Sequence, residues 1–216
     1  MVETVGITKA IVNLNDIQDK FNLTQTNDAE FFPEWFKKLP DITDAEKATL
    51  DRLKHRYLYY AADAAITEGT VNIIILSPLL ELTGLCDPPF KIRGEQFVKI
   101  EIEGGGSEAE PILEGFIDAL VVQNQFWIVL IESKRYGFSV IQALPQTLAY
   151  MMANPNSELP SFGMITTGED YLFIKLDHQT HQYGLSDKFT IAKHNNREFY
   201  EVLQIIKRII NGTVQE

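Results

Sequence analysis

Cysteine is all but missing from this chain. Cys86 stands alone among 216 residues, which excludes an internal disulfide and any site built on paired thiolates. Its expected place is that of a small apolar side chain near a helix end. Histidine is scarce too. His55, His178, His181 and His194 have no ligand spacing backed by cysteine, so a zinc centre is not expected. No apolar run approaches the roughly 20 residues of a membrane-spanning helix, and no secretory leader is legible at the start. The expectation is a soluble, cytoplasmic protein with no membrane partner. Repeats and low-complexity tracts are lacking as well. Most telling is the shortage of positive charge: 19 Lys and Arg stand against 30 Asp and Glu, a net charge of −11. Nucleic-acid binding draws most of its non-specific affinity from a basic footprint. That balance argues against a nucleic-acid partner unless basic groups gather locally or another protein delivers the target.

What is present is ordinary for a globular chain: 45% hydrophobic and 23% charged residues. The length suits one domain, read as an N-terminal arm (1–42) on an α/β core (43–216). In the arm, residues 14–21 are amphipathic, and Phe31, Phe32, Trp35 and Phe36 cluster. Packing on the core is the plainer expectation for these aromatics, and a homodimer or partner-subunit surface is the alternative. Thr43 and Glu46 form a capping box that should open a helix reaching about residue 65. Lys47, Arg52, Lys54, His55 and Arg56 make this helix the most basic stretch. It reads as a solvated face, and as the first place to look for phosphate contacts. Glu68 opens a second helical run that ends at Gly84, with Pro78 predicting a kink or break.

Further on, residues 97–103 alternate as a strand with one wet face, and 104–107 are a flexible turn with no phosphate-loop features. Residues 161–167 and 171–176 read as strands, 182–192 as a weaker, edge-like strand, and 198–210 as a closing amphipathic helix. Its inward side chains are Phe199, Val202, Ile205, Ile206, Ile209 and Ile210. The pattern predicts an α/β fold with a mixed central sheet flanked by helices.

The middle of the chain departs from this plain reading. Two apolar runs, 116–122 and 126–131, flank a polar turn at 123–125, the pattern of a hairpin buried on both faces. Yet Asp118 lies inside the first run, and Glu132 and Lys134 close the second. A turn centred on Gln125 sets Asp118 opposite Glu132. Side chains alternate along a strand, so Glu132 and Lys134 share a face. A buried ionised carboxylate must pair or bind metal, and two side by side repel unless a cation lies between them. That cation is either Lys134, in a structural ion pair, or a hard divalent metal such as Mg²⁺ or Mn²⁺. On the helical stretch that follows, Gln142, Gln146 and Tyr150 fall at i, i+4 and i+8, a polar stripe on an apolar helix. Pro145 kinks that helix or starts it.

Asp118 followed by Glu132-Ser133-Lys134 resembles the D…(D/E)-x-K signature of the PD-(D/E)XK nuclease superfamily. Gln146 through Tyr150 resembles the Q-x-x-x-Y motif that follows it in RecB-type nucleases and in the nuclease domains of type I restriction R subunits. Ile117 stands where that signature has a proline. The resemblance spans about Glu68 to Asp177 and leaves the first sixty residues outside. It implies a restriction-endonuclease-like fold and Mg²⁺- or Mn²⁺-dependent hydrolysis of DNA. It also implies a metal shell of Asp118, Glu132, the Ser133 carbonyl and Glu68. Glu68, followed by Leu79-Leu80 and Leu82-Thr83-Gly84, resembles the helix glutamate of the type I domains, with Thr83 interposed; Glu81 is the runner-up. Lys134 would orient the attacking water, and Gln146, Tyr150 and Gln142 would support the site or the DNA backbone. Against this stands a catalytically weak binding or assembly module of the same fold.

Overall fold

The computed structural model describes residues 4–63, 65–101, 111–123 and 126–214. In chain order, β1 (Thr4–Gly6) leads into one helical turn, α1 (Ile7–Ala10), and then α2 (Leu14–Phe21). Asn13 and Asp16 cap α2 reciprocally, each side chain taking up a backbone N–H that the first helical turn leaves free. A two-residue strand, β2 (Thr24–Gln25), and a 3₁₀ turn at Pro33–Trp35 precede α3 (Asp44–Asp63). Its capping box is formed as the sequence predicts, with Thr43 N–H donating to Glu46 at 2.7 Å.

The next helical run does not break at Pro78. α4 (Glu68–Val71) passes into a π turn (Asn72–Leu76) and then α5 (Ser77–Leu82). Proline lacks an N–H and clashes with the carbonyl four residues back. The wider turn absorbs this: Ser77 donates both its N–H and its hydroxyl to the Asn72 carbonyl. Gly84, at φ +79°, ends the run as expected, and Leu85 N–H returns to the Leu80 carbonyl.

Then come β3 (Phe90–Glu101), β4 (Ile112–Gln123) and β5 (Phe126–Ser133). A 3₁₀ turn (Val140–Ala143) precedes α6 (Leu144–Met152), with Pro145 in its first turn. β6 (Ser161–Thr166), β7 (Asp170–Asp177), β8 (Gln182–Leu185), β9 (Phe189–Thr190) and α7 (Arg197–Val214) complete the chain. Glu103 and the glycine turn 104–107 lie outside the described residues, as do Asn124 and Gln125 of the hairpin turn.

Among the described residues the strands form one mixed sheet of nine, ordered β1-β4-β5-β6-β7-β8-β2, with β3 beside β4 and β9 beside β7. β3 pairs along the whole of β4, so β1 and β5 must share β4's other side, end to end. β1 reaches Glu114 and β5 begins at Ala119, which leaves a gap in the ladder over residues 115–118. The span read as one edge-like strand is two, β8 and β9, and β8 lies inside the sheet because β2 pairs on its outer side.

Helices cover both faces. On one, α3, the α4–α5 run and α7 bury Leu53, Tyr57, Ile75 and Leu79 with Phe199, Val202 and Ile206 against Val121, Ile131 and Phe173. All six side chains predicted to line the inner face of α7 lie in this core. Fully burying an apolar side chain is worth about 1.5–3 kcal/mol, so packing rather than propensity holds α7 in place. On the other face, α1, α2 and α6 enclose Ile7, Ile17, Leu144 and Leu148 with Leu113, Ile117, Leu120 and Ile174. Three of the four N-terminal aromatics pack as expected, with Phe32 buried and Phe31 and Trp35 against the same core, whereas Phe36 is exposed.

A candidate active site at the gap in the sheet

β4 loses its regular alternation at the gap. Ile117, Leu120 and Val122 belong to one core, whereas Ala119 and Val121 belong to the other. Strict alternation would put 117, 119 and 121 on one face. The step falls at Asp118, opposite Glu95, which is held at φ +48° between the paired residues Gly94 and Gln96. Asp118 thus sits where β4 changes faces. The hairpin register is the predicted one, with Ala119 opposite Ile131, until a bulge after Val121 shifts it near the turn. Asp118 and Glu132 are the next residues along, one step past the last ladder pair.

Glu132 is 3% exposed at the end of β5. Lys134 Nζ donates to Glu132 Oε1 at 2.5 Å, the contact that their two-residue spacing predicts. Glu132 Oε2 is buried and has no hydrogen-bond partner. Burial pushes the carboxyl up to about 7, the Asp118 charge adds to the push, and Lys134 only partly offsets it. Lys134 responds in the opposite sense. Burial alone would lower its ammonium, but Glu132, Asp118 and Glu68 together hold it above the ordinary lysine value. The strand end is pinned by Lys134 N–H, which donates to the Thr166 carbonyl at 2.7 Å, and by Ser133, which pairs with Thr166 in β6.

Glu68 enters from the helical side. Thr67 caps α4 by accepting from Thr70 N–H, which places Glu68 in the first turn. The Ile66 carbonyl accepts from Tyr136 N–H at 3.1 Å, tying the start of α4 to the loop after Lys134. Glu68 hydrogen-bonds Asp118, and its carboxyl is raised chiefly by burial and then by the Asp118 charge. Its rival, Glu81, is exposed near the far end of α5. The cluster therefore holds Glu68, Asp118, Glu132 and Lys134.

Tyr150 fills the sheet gap from α6. It is 4% exposed, its hydroxyl meets the Phe116 backbone, and burial, then Glu132 and Asp118, push it up to about 12. A Cβ at Gly115 would come within 2.8 Å of its ring, so only glycine admits the tyrosine here. The sequence reading passed over Gly115. Its signal was a lone glycine inside a strand, between Glu114 and Phe116. Gln146 is half-buried on α6, but Gln142 is exposed in the preceding 3₁₀ turn. The predicted i, i+4, i+8 stripe therefore loses its first member, because the helix starts only at Leu144.

The basic face read on α3 is largely committed elsewhere. Lys54 is buried, donating to the Lys193 carbonyl and to Asn196, and Arg56 donates to the Ile74 carbonyl. Lys47 pairs with Asp44, and Arg52 and His55 remain exposed. Cys86 is exposed just beyond Gly84, in place of the apolar position expected near a helix end.

Three carboxyls, one with an unsatisfied buried oxygen, against a single ammonium suit a hard divalent cation in chemistry and charge. Among the described residues, no three His, Cys, Asp or Glu side chains stand in ready ligating positions. Also among them, no helix is long and apolar enough to cross a membrane.

No family model matches the chain, and no curated protein does. A solved structure does resemble it: "The fragment structure of a putative HsdR subunit of a type I restriction enzyme from Vibrio vulnificus YJ016". Identity is 21% and the TM-score 0.42, over 65% of this chain and 26% of that one. The likeness is loose.

Proposed function

We propose that the chain is a metal-dependent phosphodiesterase acting on DNA, with Glu68, Asp118, Glu132 and Lys134 as its working groups. The observation that carries this is Glu132. A fold rarely buries a carboxyl with one oxygen unsatisfied beside two further acids, and perturbed acids of this kind gather at functional sites.

Asp118, Glu132, Glu68 and the Ser133 carbonyl would hold Mg²⁺ or Mn²⁺. Such an ion supplies Lewis-acid polarisation of a phosphate and acidifies an attacking water. The chain's own residues do the rest. Glu132 passes from protonated to ionised near neutral pH, so its second oxygen becomes a strong acceptor only as its proton leaves. Lys134 keeps its charge in a semi-buried setting, where an ammonium stabilises developing negative charge better than it would in water. Tyr150 keeps the gap in the sheet open and holds the Phe116 backbone. The whole chain, residues 1–216, would act as one cytoplasmic domain, alone, as a homodimer or beside a partner subunit.

A catalytically weak binding or assembly module of the same fold is the second reading. The net charge of −11 and the lack of a ready-made ligand set among the described residues favour it. Incubation of single-stranded, duplex and branched DNA and of RNA with the protein and Mg²⁺ or Mn²⁺ separates the two. The nuclease reading expects metal-dependent cleavage that Lys134→Ala abolishes. Absence of cleavage from every substrate overturns it in favour of the module.

A further inference from the structure

β3 is an edge strand, and its pairing with β4 sets Phe97 directly opposite Phe116. The two rings lie 5.2 Å apart and are 42% and 58% exposed, unusual for paired phenylalanines. Their neighbours Val98, Ile100, Ile117 and Leu113 are buried in the core on the other face, so the aromatic pair points away from that core. Lys99 Nζ lies 5.8 Å from the centre of the Phe97 ring, and its partner across the ladder is Glu114. Asp118 follows Phe116 by two residues across the buried Ile117, roughly 7 Å along the strand.

We propose that the Phe97–Phe116 pair is a stacking platform for an unpaired nucleobase, which makes single-stranded nucleic acid the substrate class of the neighbouring acidic site. This rests on the phosphodiesterase reading for what happens at the acids, but not for the binding itself. Two arguments favour this occupant. Bases in a duplex have their faces covered by their neighbours, whereas an unpaired base offers a free face, and stacking on aromatic side chains tolerates any sequence. A chain of net charge −11 also cannot rely on phosphate attraction as duplex binders do, and stacking supplies affinity that needs no basic groove.

The test is fluorescence anisotropy of a labelled 15-nucleotide single strand and of its duplex, with the intact protein in EDTA so that nothing is cleaved. The wild type is expected to bind the single strand more tightly than the duplex. The pair Phe97→Ala and Phe116→Ala is expected to weaken single-strand binding about tenfold or more and to leave duplex binding within twofold. The leucine pair keeps the apolar area without the ring and is expected to weaken it likewise, whereas Phe116→Tyr should retain it. Unchanged single-strand binding in the alanine pair overturns the proposal, as does a wild type that binds no single strand. So does a wild-type dimer that the alanine pair dissociates while strand binding persists, since the rings would then serve a second copy of the chain. If stacking holds in EDTA but metal brings no cleavage, the nuclease reading fails and the platform stands.

Discussion

At the scale of the residue, Glu132 governs the behaviour of the site. Its carboxyl is raised from 4.5 to about 7 by burial first and by Asp118 second. Between those two pH values the folded chain holds a proton that the unfolded chain has released. Stability from this group is therefore fully present below about pH 4.5 and is lost as the pH rises through about 7. Glu132→Gln cannot release that proton. In metal-free urea titrations it should flatten the decline between about pH 4.5 and 7 and leave the protein more stable above neutrality by on the order of 2 kcal/mol. An unaltered slope would show that the decline comes from other groups. Divalent-metal affinity should run the other way, strengthening as the pH rises through about 7, because ligation needs the ionised form. Lys134→Ala removes the donor to Glu132 Oε1. It should push that carboxyl higher still and abolish hydrolysis, while leaving metal stabilisation largely intact once the pH exceeds that raised value.

At the scale of the element, the gap between β1 and β5 explains both what the sequence shows and what it hides. The two-residue spacing of Glu132 and Lys134 and the near-symmetric hairpin were legible, because strand alternation and hairpin register are local rules. So were the capping box at Thr43 and the inward face of α7. Asp118's step between faces was not, because it depends on β1, a distant segment, stopping at Glu114. Gln142 was misread because periodicity runs on through a 3₁₀ turn that sequence cannot distinguish from helix. At Pro78 the irregularity was legible but not its form, a π turn that carries the helical run past the proline without a break. Gly115→Ala tests the gap directly. Its methyl would press on the Tyr150 ring, so the substitution should destabilise the fold by about 1–3 kcal/mol and disturb the site beneath it. Thr43→Ala serves as the contrast. It should lose about 1 kcal/mol by removing a helix cap while leaving the metal response unchanged.

At the scale of the molecule, the mixed sheet flanked by helices followed from the order of segments, whereas the division into two cores is seen only in the structure. The surface did not follow from that order, because which lysines turn inward is decided by packing. Lys54 and Arg56 are drawn into structural bonds, so the candidate phosphate surface on α3 shrinks to Arg52 and His55. With only Arg52 and His55 left free on α3, DNA affinity routed through that helix should vary weakly with salt. The slope of log affinity against log salt should be about −1 to −2, far from the steep values of duplex binders that contact many phosphates. A slope steeper than about −5 would reveal a basic surface contributed by a partner or a second copy.

The central claim is that the acids at the gap form a divalent-metal site, and a thermal melt with Mn²⁺ addresses it without knowledge of any substrate. A metal that binds only the folded chain stabilises it by about 2.7 kcal/mol at a hundredfold excess over Kd. For a chain of this size that raises Tm by roughly 5–10 °C. The wild type should show that rise at millimolar Mn²⁺. Asp118→Asn should lose it and should melt slightly higher than the wild type without metal, because a like-charge contact is relieved. A wild-type melting curve that does not move with Mn²⁺, together with Asp118→Asn simply losing stability, would contradict the account and leave a structural ion pair in its place.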